Sequence, residues 1–454
     1  MKYEWWDWWQ DRKDRYLIAD EPFMDRERFA SICVGTGLPE IHQKSTFAFR
    51  NVKDGADRFI GRSPQGEKPF ARIYTRLGNP TTEYLEKVLF RLECQHMIDR
   101  ALDADEKEPT VGSMVLASGM AAISTALIAL LDSGDEVIAG NVYGCTDSLL
   151  RSLDRKFGIK THFIDTTNVD EVRETLRKNP RVRVVFLESP ENPNLRLADI
   201  RAIGRIARRH EALLIVDNTF CSSYLQQPFR LGADFVIQSM TKYVNGHSSS
   251  IGGSVLGPFP FMSGEFFNIA KDLGPTPSPF EGWLNGLCIQ TLPQRIDEAA
   301  ESAETIARWL DTHARIDKVY YPGLPEHPHH ELVGTQMRNG GAMIAFEMIG
   351  GFEPAVRLMN FFARHDTPME LAVSLGSVIS YIEHPASMTH AGVPEEARRE
   401  RGITDGLVRL SVGLEGAQTL IQAFEEGFRI AYDEWETEEE EVADLSKINA
   451  MSMD

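Results

Sequence analysis

The stretch Phe235-Val236-Ile237-Gln238-Ser239-Met240-Thr241-Lys242 decides how this chain folds. Phe235, Val236 and Ile237 form a short apolar run, the mark of a strand buried on both faces of a parallel sheet. The run leads into two hydroxyls, Ser239 and Thr241, and one amine, Lys242. A second run, Leu213-Leu214-Ile215-Val216, ends in Asp217. Working outward, residues 114–117, 136–139, 182–187 and 252–256 read as further strands. Helix-like stretches at 121–131 and 200–209 fall between them. Short apolar strands alternating with helices predict an α/β fold, with a mostly parallel central sheet covered on both faces.

A chain of 454 residues exceeds the ~250–300 residues that one hydrophobic core usually serves, so two domains are expected. We divide it into an N-terminal arm at 1–70, a principal domain at 71–309, a smaller C-terminal α/β domain at 310–430 and an acidic tail at 431–454. Residues 258–279, rich in Pro and Gly, read as a connection, and 284–309 as a helix bridging the domains. Trp5, Trp6, Trp8 and Trp9 crowd a charged segment. They either pack on their own subunit or dock on a neighbour. The tail, with Glu438 to Glu441 in succession, reads as solvated or disordered.

The net charge of −19 disfavours nucleic acid or an anionic membrane as the main partner. No apolar stretch is long enough for a membrane span, and Met1 to Asp7 lacks the order of a secretory signal. Cys33, Cys94, Cys145, Cys221 and Cys288 form no close-spaced pairs. A disulfide scaffold and a metal site are therefore poor readings, and a reducing cytoplasm is expected. No early Gly-x-Gly-x-x-Gly follows a first strand, which disfavours a dinucleotide fold.

Chemically useful groups recur where the strands should end: Ser118, Tyr143, Glu188, Asp217 and Lys242. In open α/β sheets ligands gather outside those ends. Lys242 can form a Schiff base with an aldehyde and then act as a base at a substrate Cα. Asp217, after an apolar strand, needs a partner, and a protonated ring nitrogen supplies one. Ser118-Gly119-Met120 opens a helix whose free N–H groups suit a phosphate, with Ser239 and Thr241 as further donors. Helix capping is the plainer role for Ser118. Tyr143 can stack on a ring and carry a proton, or simply pack. Tyr74 and Arg76 can complete phosphate neutralisation, from the other subunit if the site is shared. Arg409, in an apolar run, needs an anion. A substrate carboxylate would serve, and so would a structural salt bridge. Together these are the parts of a pyridoxal phosphate site.

The motifs YTRLGNPT at 74–81, SGMAA at 118–122, YGCT at 143–146, ESPENP at 188–193, VDNTF at 216–220, SMTKYVNGH at 239–247, SLG at 374–376, HPASMTH at 384–390 and VRLSVG at 408–413 resemble the Cys/Met-metabolism family of pyridoxal phosphate enzymes. That family includes cystathionine γ-synthase, cystathionine lyases, methionine γ-lyase and O-acetylhomoserine sulfhydrylase. The resemblance implies a fold-type I transferase architecture. It implies a homotetramer built as a dimer of dimers, with the site shared across a dimer. It also implies Tyr74 and Arg76 as phosphate ligands given across the dimer. Gly119, Met120, Ser239 and Thr241 become phosphate ligands of the same subunit, and Asn192 a group near the cofactor hydroxyl. Tyr143, Asp217 and Lys242 become the stacking, pyridine-binding and Schiff-base residues. Ser374 and Arg409 become substrate-carboxylate contacts. Cys145 and the pair Lys271-Asp272 are similar to residues near a lyase substrate pocket.

Departures stand beside these matches. Ser249 replaces a common Asp, and Ser377 and Ile379 replace a commoner Gly and Glu. Without that Glu, a distal ammonium group of the cystathionine kind loses a partner. The expected reaction is γ-elimination from an L-amino acid such as methionine, giving thiol, 2-oxobutanoate and ammonia. The alternatives are γ-replacement on O-acetyl- or O-succinylhomoserine, a γ-lyase for another γ-substituent, a β-lyase, and a non-enzymatic cofactor-binding protein.

Overall fold

The computed structural model describes residues 3–17, 23–35, 37–60, 72–103, 111–391 and 395–433. The acidic tail expected at 431–454 lies, from 434 onward, outside them. The chain forms two compact units. The first comprises Met1–Asn192, Leu197–Gln294 and Glu331–Arg338, and the second Pro193–Arg196, Arg295–His330 and Asn339–Asp454. The division falls inside the helix Leu292–Asp311, earlier than the expected boundary at 309.

Among the described residues, seven strands make the sheet of the first unit: β1 (Val111–Leu116), β2 (Glu136–Ala139), β3 (Lys160–Phe163), β4 (Val182–Glu188), β5 (Leu213–Asp217), β6 (Phe235–Ser239) and β7 (Gly253–Pro258). Their order is β1-β7-β6-β5-β4-β2-β3. β7 runs antiparallel to both its neighbours, and the remaining pairs are parallel. Leu213 to Val216 and Phe235 to Ile237 are fully buried, as their apolar runs require. β3 escapes a reading from periodicity because it is a short, partly exposed edge strand with Lys160 and His162.

The helix Ile200–Arg209 shows how the covering layer is specified. Its buried residues Ile200, Ile203, Gly204, Ile206 and Ala207 make one stripe. Asp199 caps it by accepting a hydrogen bond from the Ala202 N–H at 2.8 Å. Arg208 and Arg209 sit in the last turn, where cations suit the helix dipole.

The tryptophans pack on their own chain. In the helix Trp6–Tyr16, Trp9 is fully buried. Its Nε1 donates to Asp234 Oδ1 at 2.7 Å, and Lys13 Nζ reaches the same oxygen at 2.7 Å. Gln10 adds a bond at 3.3 Å, while Asp234 Oδ2 accepts the Leu214 N–H at 2.8 Å. Trp5 meets the rings of Phe235 and Phe261 at 6.0 and 5.3 Å. The expected connection at 258–279 is instead largely helical from Phe259 to Leu273. Phe261, Met262 and Phe266 bury there, which outweighs the Pro and Gly signal.

The second unit holds, among its described residues, a five-stranded sheet ordered β10-β11-β12-β9-β8. Its strands are β8 (Ile316–Tyr320), β9 (Met343–Met348), β10 (Glu370–Leu371), β11 (Tyr381–Glu383) and β12 (Leu407–Ser411). Its core includes Phe346, Phe362, Phe424 and Phe428.

Candidate active site

The carboxyl ends of β4, β5 and β6 converge in the first unit. Glu188 ends β4 and is the register partner of Asp217, which ends β5. Asp217 Oδ1 accepts two bonds from Thr219, from its N–H at 3.0 Å and its hydroxyl at 2.5 Å. The Thr219 hydroxyl oxygen also accepts the N–H of Ser239, the last residue of β6, at 2.8 Å. Thr219 thus ties the end of β5 to the end of β6. Its role went unread in the sequence, although the Asp-x-Thr spacing carries the signal of a local side-chain turn.

Lys242 is half-buried in the turn after β6. Its N–H donates to Ser239 O at 3.3 Å, and its carbonyl accepts the Gly246 N–H at 2.8 Å. Thr241 is bound to the entry of β7, its hydroxyl accepting the Gly252 N–H at 3.2 Å and donating to the Gly252 carbonyl at 3.4 Å.

Ser118 caps the helix Gly119–Leu130, accepting the Ala121 N–H at 3.0 Å. Capping uses its oxygen as an acceptor and leaves the O–H able to donate. The backbones here are in close contact. A Cβ on Gly119 would stand 2.8 Å from Ser239 Cβ, and one on Gly253 would stand 2.1 Å from the Ser118 carbonyl oxygen. Met120 meets the next helix, its sulfur lying 3.9 Å from the Thr146 hydroxyl.

Tyr143 stands before the helix Gly144–Phe157, and its side chain is exposed. Its N–H donates to Glu188 Oε1 at 2.8 Å. Cys145 is exposed on that helix. Asn192 is buried, its carbonyl accepting from Asn141 Nδ2 at 3.4 Å. Tyr74 and Arg76 are exposed, with the Arg76 guanidinium 5.8 Å from the Tyr74 ring. Arg76 donates to the Lys271 carbonyl and lines a pocket of about 50 Å³ with Leu116 and Lys271.

In the second unit, Arg409 is buried, but its anion is a side chain of the same unit. Nη1 pairs with Glu383 at 3.0 Å, and Nη2 donates to the Ser374 carbonyl at 2.9 Å. The structural salt bridge is therefore present. Ser374 itself has φ 103°, a strained left-handed conformation for a residue with a Cβ.

The electrostatics single out the β4–β5 end. Burial pushes the Asp217 carboxyl up to about 6, against the lowering effect of the Thr219 bonds. Burial also drives Glu188 well above the usual carboxylate range, reinforced by Asp217 and Glu191, while the Tyr143 N–H works the other way.

A lysine, a paired carboxyl and a glycine-lined helix start at the carboxyl ends of a mostly parallel sheet define the pyridoxal phosphate enzymes of fold type I. Comparison with known proteins narrows this. The model of the Cys/Met metabolism PLP-dependent enzymes matches residues 30–429. An L-methionine gamma-lyase of Fusobacterium nucleatum subsp. polymorphum is 41% identical over 396 residues, 87% of this chain and 93% of that protein. A cystathionine beta-lyase of Lactococcus lactis subsp. cremoris is 39% identical over 354 residues, 78% of this chain and 87% of that protein. The crystal structure of a cystathionine gamma synthase from Xanthomonas oryzae pv. oryzae, in complex with aminoacrylate and cysteine, superposes with a TM-score of 0.79 at 35% identity. It covers 91% of this chain and 100% of that one. The chain belongs to the Cys/Met metabolism family of pyridoxal phosphate-dependent enzymes.

The residues fit the cofactor. Two carboxyls raised together by burial suit a cationic ring nitrogen beside them. A helix start that has no room for a Cβ at Gly119 suits a phosphate approaching backbone N–H groups.

Proposed function

We propose that this enzyme acts at the γ-carbon of a sulfur-containing L-amino acid or an activated homoserine, ending in replacement by a thiol or in elimination. The observation that carries the reading is the Glu188–Asp217 carboxyl pair set at the same sheet end as the Lys242 turn. Expected from sequence was elimination from methionine, with replacement as the alternative. Structural likeness to a cystathionine gamma synthase supports replacement. Sequence likeness to L-methionine gamma-lyases supports elimination. The reading is widened to both outcomes accordingly.

Bound pyridoxal phosphate supplies an aldehyde for amines and an electron-withdrawing ring that acidifies the substrate Cα and Cβ hydrogens. Lys242 would hold the cofactor, and its amine would take the Cα proton and move it onward. Asp217, oriented by Thr219, keeps the ring nitrogen charged. The helix start at Gly119, with Ser118, Met120, Ser239 and Thr241, holds the phosphate. Tyr74 and Arg76 join them from a second subunit of a homotetramer. Asn192 would hold the cofactor hydroxyl. Tyr143 would stack on the ring and would give its proton to the departing sulfur. Arg409, steadied by Glu383, and Ser374 receive the substrate carboxylate, and Cys145 borders the γ-substituent. We place this soluble assembly in the cytoplasm, where a reducing medium suits cysteines held as thiols. No described helix is long and apolar enough to cross a membrane.

The test is a substrate panel on the enzyme loaded with pyridoxal phosphate. We expect 2-oxobutanoate from L-methionine without an acceptor, or a thioether product from O-acetylhomoserine with a thiol. Pyruvate from cystathionine as the sole product would move the reading to β-elimination. Silence on every substrate would sink it.

A further inference from the structure

Glu188 has so far served only as the carboxyl beside Asp217, yet it also touches the element that carries Tyr143. It is buried at the end of β4. Its register partner across the parallel pair is Asp217, so the two carboxyls share one face of the sheet. Its Oε1 accepts the Tyr143 N–H at 2.8 Å, the last amide before the helix Gly144–Phe157. The charged groups bearing on it are Asp217 on β5 and the buried Glu191 in the turn after β4. A carboxyl with two acidic neighbours in a buried place is costly, and an uncharged side chain of similar shape would relieve that cost.

We propose that Glu188 is a positioning residue that sets Tyr143 through its backbone N–H while leaving the negative charge of the site to Asp217. The inference rests on the cofactor reading given above and deepens it. One side chain then anchors the backbone that carries the Tyr143 ring beside the carboxyl of Asp217. Tyr143 is exposed, and the hydrogen bond from its N–H to Glu188 restrains its backbone.

The experiment uses the full-length enzyme loaded with pyridoxal phosphate and compares wild type with Glu188→Gln, Glu188→Ala and Lys242→Ala. Three quantities are read: the dissociation constant of the cofactor, its visible circular dichroism, and the pH midpoint of its absorbance. Glu188→Gln keeps an acceptor for the Tyr143 N–H, so cofactor affinity and dichroism should stay within about twofold of wild type. Its absorbance midpoint should also stay near that of wild type, because Gln matches the uncharged carboxyl that burial favours at Glu188. Glu188→Ala, which removes the acceptor, should show about tenfold weaker retention and a diminished dichroic band. Wild-type values in both Glu188 variants would overturn the proposal. So would a Gln variant as damaged as the Ala variant, since the acceptor would then be irrelevant. A wild-type spectrum that Lys242→Ala leaves unchanged would instead remove the cofactor reading itself, separately from Glu188.

Discussion

Two aspartates at opposite ends of one sheet make a useful contrast. Asp234, just before β6, is 1% exposed and receives Trp9, Gln10, Lys13 and the Leu214 N–H. Asp217, at the far end of β5, receives Thr219 and faces a second carboxyl, Glu188. The first carboxylate is completed by its own chain and locks a helix to the sheet. The second is left uncomfortable, its carboxyl raised to about 6 by burial. A charge neutralised from within reports architecture, and a charge kept unneutralised reports a ligand.

The contrast is open to breakage. The largest expected effect is on turnover: Asp217→Asn should lower kcat by about 10²–10³-fold while leaving the thermal midpoint of the apoprotein equal or higher. A loss of apoprotein stability would place Asp217 among the structural carboxylates. Next, Asp234→Ala should cost about 3–5 kcal/mol of stability in denaturant titration, because Lys13 would stay buried without its anion. The kcat/KM per folded molecule should hold within about twofold. A selective loss of activity would erase the distinction. The smallest effect is a slope with pH. A carboxyl raised from about 3.9 contributes stability below that value and loses it as pH rises through its folded value. Apoprotein stability should therefore fall between roughly pH 4 and 6 by at most about 3 kcal/mol more in wild type than in Asp217→Asn. Equal slopes in the two proteins would show that Asp217 titrates normally.

The same contrast explains what could be read from the sequence. Leu213 to Asp217 and Phe235 to Ser239 were legible because a fully buried strand must be apolar and the polar residues ending it must be there for a reason. β3 was not, since an edge strand with one wet side carries no such constraint. Residues 259–273 read as a connection because Pro and Gly are local signals, whereas the burial of Phe261 and Phe266 is a tertiary fact. Lys13 and Asp234 meet across the chain, as do Arg409 and Glu383, and no spacing rule reports a partner so distant. Lys242, Asp217 and Ser118 were singled out through motif and position. The Thr219 bridge and the Tyr143–Glu188 bond needed coordinates.

The antiparallel β7 carries a consequence for the order in which the enzyme is made. β1 lies beside β7 rather than beside β2, so the helix start at Gly119 is walled by Gly253 and Ser239. A ribosome delivers Ser118 and Gly119 long before it delivers Gly253. The strands from β2 to β6 can assemble as the chain emerges, but the helix start at Gly119 has one wall missing until β7 slides between its two neighbours. Such a long-range closure is slow compared with local pairing. For much of its synthesis the nascent protein is therefore a sheet whose helix start at Gly119 stands open on one side, and that close packing belongs to a late step of folding.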